Sequence, residues 1–184
     1  MTCYKNRFKI FSFIVLFFIT LSNVYSQSEF ILQEGTVVVP VDDERSKELL
    51  KTEDEYTSVL SRFDLMSKAG SKSDTVNLQD YLRKSVSSVK KWNDDDIKGL
   101  KKVVESVNKK IKELGLKLSM PSRIDIIKSD MQNEGGAEGY TRSNYIVLKD
   151  NNVEGSSDNY EDLFIHELFH ILSRYDNTMS EKVY

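Results

Sequence analysis

The chain holds two histidines, and they stand four residues apart inside Leu163–Leu172 (LFIHELFHIL), an almost wholly apolar segment. Four residues of α-helix rise about 6 Å and turn roughly 40° past one revolution, so His166 and His170 lean toward one point. Leu163, Phe164, Ile165, Leu168, Phe169, Ile171 and Leu172 stand nearly all round that helix. The expectation is therefore a buried helix in which His166, Glu167 and His170 each need a polar partner.

The HExxH spacing of His166-Glu167-Leu168-Phe169-His170 supplies one. A zinc ion takes imidazole nitrogen as a ligand, and two such nitrogens can come from one helix face. Glu167, one position on, can reach water at the ion without being a ligand, take its proton and hand it to a leaving amine. Zinc would lower the pKa of that water and polarise the scissile carbonyl. In a plain core helix the histidines would bond neighbouring carbonyls, and that reading leaves Glu167 without a purpose.

Leu163–Leu172 resembles the active-site helix of zincin metallopeptidases. YTRSNYIVL followed by HELFHILSR is similar to uncharacterised secreted bacterial proteins presumed to be zinc peptidases, over roughly residues 95–184. The resemblance implies an α+β fold in which a long backing helix and a small sheet precede the HExxH helix. It implies that His166 and His170 bind Zn2+ and that Glu167 is the general base. Backbone around Asn144 to Val147 would bond an extended peptide by strand addition, with Tyr140 and Arg142 as partners for substrate or oxyanion. Tyr140 and Arg142 also suit ordinary strand positions with a solvated tip.

A catalytic zinc usually has three protein ligands. In the metzincin pattern the third lies six residues past the second histidine, where this chain has Asp176, with Ser173 in place of the usual glycine. Asp176 also suits the cap of a short helix starting at Asn177-Thr178. In the gluzincin pattern the third ligand is a later glutamate, for which Glu181 stands close to the motif. A functional chain longer than these 184 residues is the remaining expectation.

Residues 1–26 read as an export signal: Lys5, Arg7 and Lys9, an apolar run from Ile10 to Leu21, and Val24-Tyr25-Ser26 before Gln27. The run is short of the ~20 residues of a stable span, and an uncleaved anchor is the rival. Cleavage would remove three basic residues, no acidic ones and the chain's one cysteine, Cys3, moving the net charge from −3 to −6. The expected location is secreted or periplasmic, with packing or a metal in place of disulfides. An acidic chain is a poor match for general nucleic-acid binding.

Residues 27–93 are expected to be mainly helical, and residues 94–184 to form the metal-binding core. TVVVPV (36–41) could be a strand, confined to an edge by Pro40. Helical spacing runs through 43–69 and from Asn77 or Asp80 to Val89. A long helix starts at the acids Asp94–Asp96 and ends at Gly115. Strands follow at 123–127 and 140–148, and then a helix over 160–174, capped by Ser157 or Asp158. Two functions fit: a secreted zinc peptidase acting on a peptide or protein, and an inactive zincin-like or helical binding protein using the acidic helices at 43–69 and 78–114.

Overall fold

The computed structural model describes residues 28–150 and 158–175. Residues 1–26, read above as an export signal, and Ser157, Asp176 and Glu181 lie outside them. Within them the fold is α+β, a mixed sheet of five strands with six α-helices.

The strands are β1 (Phe30–Gln33), β2 (Thr36–Pro40), β3 (Arg123–Ser129), β4 (Gly139–Arg142) and β5 (Tyr145–Lys149), in spatial order β1-β2-β3-β5-β4. β2, β3 and β5 run parallel, while β1 and β4 are antiparallel edges. The helices are α1 (Asp43–Lys51), α2 (Glu55–Ser58), α3 (Arg62–Ala69), α4 (Leu78–Ser87), α5 (Asp94–Glu113) and α6 (Asp158–Tyr175).

Both sheet faces are covered, and the pleat sorts the residues. Val38, Ile124, Ile126, Ile146 and Leu148 face α5 and α6. Val39, Ile127, Tyr145 and Val147 face the other way, toward Leu49 and Leu50 of α1 and Val86 of α4. Burial on both sides explains why Val37–Val39 and Tyr145–Leu148 read as unbroken apolar runs.

α5 forms where the sequence asks for it. Asn93 caps it, bonding the Asp95 and Asp96 N–H groups, and the Asp96 carboxylate returns a bond to the Asn93 N–H. Leu100, Val103, Val104, Val107 and Ile111 form its buried stripe. Gly115, at φ 65°, ends it, with Leu116 N–H bonding back to Ile111.

Four expectations need correction. Residues 27–93 carry four helices, α1–α4, as expected, but do not stand apart from the 94–184 core, because β1 and β2 belong to the same sheet as β3. β2 is interior, not an edge; Pro40 is tolerated because it lies beyond Val38, where the pairing with β1 stops. The 43–69 stretch is three short helices, each restarted by its own cap at Asp42, Asp54 and Ser61. The 140–148 stretch is a hairpin: Ser143-Asn144 turns the chain, and Ser143 takes the positive φ of 46° that a primed hairpin turn requires.

Asp96 does more than cap. Its Oδ2 accepts from Lys128 Nζ at 2.5 Å, and both side chains are almost fully buried. Replacing Lys128 with Met leaves that carboxylate buried without its counter-charge. The expected cost in urea unfolding is about 3–5 kcal/mol. A loss below about 1 kcal/mol would show that the pair behaves as a solvated one.

Candidate metal centre

α6 buries one face and exposes another. Tyr160, Phe164, Leu168, Ile171 and Leu172 enter the core beside α5. Ile165 and Phe169 stay 37% and 40% exposed, so the expected all-round burial is corrected. His166 is exposed and His170 half-buried, and only Glu167 of the polar triplet is buried, at 4% exposure. β4 is the last strand of the described sheet on this side, and α6 packs against it.

His166 and His170 point their Nε2 atoms at each other, 3.1 Å apart, with the rings 4.7 Å between centroids and nearly perpendicular at 86°. Two nitrogens bound to one tetrahedral zinc at about 2.0–2.1 Å stand roughly 3.3 Å apart. The pair therefore fits as two of an ion's ligands with little movement. Among the described residues no group of three His, Cys, Asp or Glu side chains forms around an ion position.

Glu167 is held by β4. Thr141 Oγ1 donates to its carboxylate, and Gly139, on the same face of the strand, leaves room for the glutamate side chain. Neither residue stands out in the sequence. Their signal is the alternation of Gly139-Tyr140-Thr141-Arg142, with small residues on one face and large ones on the other.

The large pair, Tyr140 and Arg142, faces away from the histidines. Arg142 Nε donates to Asp54 Oδ2 at 2.8 Å and Nη2 to the Thr52 carbonyl at 2.9 Å, and its guanidinium lies over the rings of Tyr56 and Tyr145. Burial works against its charge, but Asp54, together with Tyr145 and Tyr81, offsets that and holds its pKa up. Tyr140 packs on the α1 side of the sheet, where burial pushes its pKa well up. The expected contact of these two residues with substrate is corrected to an internal role, since a strand sends alternate side chains to opposite faces.

Strand addition also moves. β5 lies between β3 and β4, so its backbone around Asn144–Val147 is already paired. β4 is the edge. Lys149 N–H bonds the Glu138 carbonyl, and with the 139↔148 register this makes 140 and 142 the residues bonded inward to β5. The N–H and C=O of Gly139 and Thr141 therefore point outward at the edge beside α6.

Comparison with models of known protein families, with curated proteins and with solved structures finds no match.

Asp54 caps α2 through Thr57 N–H and pairs with Arg142, so it ties the 54–58 segment to β4. Burial raises its pKa, but Arg142 and Thr57 together bring it below the ordinary carboxylate range. A carboxylate depressed on folding contributes stability above its unfolded pKa of about 4 and loses it as pH falls through the folded value. Asp54→Asn is expected to lower stability at pH 7 and to differ little from wild type near pH 2, measured by urea unfolding at both. An equal deficit at both pH values would show that the charge of Asp54 is not what matters.

Proposed function

We propose that this protein is a zinc-dependent peptidase of zincin type, exported by its N-terminal segment and acting on peptide or protein substrates outside the cytoplasm. The observation that carries the reading is one arrangement on α6: two Nε2 atoms 3.1 Å apart with a buried carboxylate on the adjoining residue, beside an edge strand.

His166 and His170 would hold the ion. When bound, zinc supplies Lewis-acid polarisation of a carbonyl and lowers the pKa of water. The remaining work falls to the chain's own groups. The outward N–H and C=O of Gly139 and Thr141 would align an extended substrate along β4 by main-chain hydrogen bonds. Glu167 would accept a proton from the attacking water and deliver it to the departing amine. The third ligand would be Asp176 or Glu181. Among the described residues no helix is long and apolar enough to cross a membrane.

A second reading also has an observation in its favour. A separation of 3.1 Å is that of an N–H···N hydrogen bond between two imidazoles, which an inactive zincin-like or helical binding protein would form. Zinc content separates the two. The purified full chain is expected to hold one zinc per molecule, and His166→Ala and His170→Ala to lose it. Glu167→Gln is expected to keep the zinc and to lower casein hydrolysis by roughly 100-fold or more. A wild-type chain without zinc would leave the hydrogen-bonded pair as the correct reading. Full activity in Glu167→Gln would show that another group is the base.

A further inference from the structure

A general base must present one carboxylate oxygen in a fixed direction, and a glutamate side chain has three torsions with which to lose it. Glu167 sits on a helix, yet what holds its tip comes from β4. Thr141 Oγ1 lies 2.5 Å from Glu167 Oε2 and 3.2 Å from the Glu167 main-chain oxygen. A hydroxyl has one proton to donate, and the charged, nearer oxygen is the stronger acceptor. On the same strand face, a Cβ on Gly139 would stand 3.4 Å from Glu167 Cγ and Oε1 and 3.3 Å from Leu163 Cδ1. Even a methyl group there would be in van der Waals contact with the glutamate side chain. The glutamate thus lies between a hydroxyl donor and a close-packed glycine, two residues apart.

We infer that Thr141 is a positioning residue for Glu167: its hydroxyl engages Oε2 and fixes the carboxylate, leaving Oε1 to exchange the proton. The inference rests on the peptidase reading for its consequence, though not for its geometry. It has a second implication. The residues that hold the base, Gly139 and Thr141, are those whose backbone groups face outward at the edge. A substrate strand pairing with β4 would therefore bear directly on the strand that orients the base.

The test compares Thr141→Val, Thr141→Ala and Thr141→Ser in the full chain. Val keeps the shape and removes the donor, Ala removes the same donor if Val does not fold, and Ser restores it. In crystal structures, Glu167 is expected to leave its wild-type position in Val and Ala and to keep it in Ser. An unmoved carboxylate in Val or Ala overturns the inference. Zinc content should stay at the wild-type level in all three, because the histidines are untouched. With a quenched fluorescent casein peptide, kcat is expected to fall roughly 10–100-fold in Val with KM unchanged, and most of it to return in Ser. Unaltered kcat in Val and Ala, with wild type active, also overturns it. A wild-type chain that neither binds zinc nor cleaves the peptide defeats the peptidase reading instead, and the crystal structures still decide whether Thr141 holds Glu167.

Discussion

A carboxylate wedged between a helix and the last strand of a sheet is the contact on which the site depends. Glu167 could not be buried on α6 without a donor, and the donor is Thr141 of β4. That bond requires close approach of strand and helix, and Gly139 permits it by having no side chain to intervene. Once α6 is docked in this way, the turn bearing His166 and His170 lies beside β4 with His166 exposed and His170 half-buried, and the two rings meet there.

The docking is backed by a sheet that is covered on both faces. α5 and α6 share one core with the inward residues of β2, β3 and β5, and α1 and α4 close the other. Among the polar pairs that pin these layers, two join a strand to the start of a helix. Lys128 crosses from β3 to the start of α5, and Arg142 crosses from β4 to the start of α2. Each joins a strand to a helix N-terminus through an aspartate that also caps the helix, so the same carboxylate satisfies backbone donors and a buried cation. Arg142 and Thr141 are neighbours in sequence, and the pleat gives one to the scaffold and the other to the site.

Much of this was legible along the chain, because the signals were local. The start of α4 at Asn77, the acidic first turn of α5, the left-handed stop at Gly115 and the stripe from Leu100 to Ile111 all follow from residues within a turn or two of each other. The spacing of His166 and His170 needed only helix geometry to bring the rings together. The errors fell where a long-range choice intervened. A run such as YTRSNYIVL can be one strand or a hairpin, and the alternatives differ in which neighbour it pairs with. Pro40 indicated an edge, but strand order placed β2 inside the sheet, and the short β1 ends its pairing at Val38, before the proline.

The sequence by itself determined that one helical turn presents two imidazoles and a carboxylate, since backbone geometry converts a spacing of four into a shared direction without reference to anything else. Which of the three is buried, which strand lies beside them and which of its side chains turn toward them were decided by the tertiary structure alone. Those outcomes depend on pairing between segments far apart in the chain, and a shift of one residue in a strand exchanges its two faces. Thr141 meets Glu167, and Arg142 meets Asp54, for that reason.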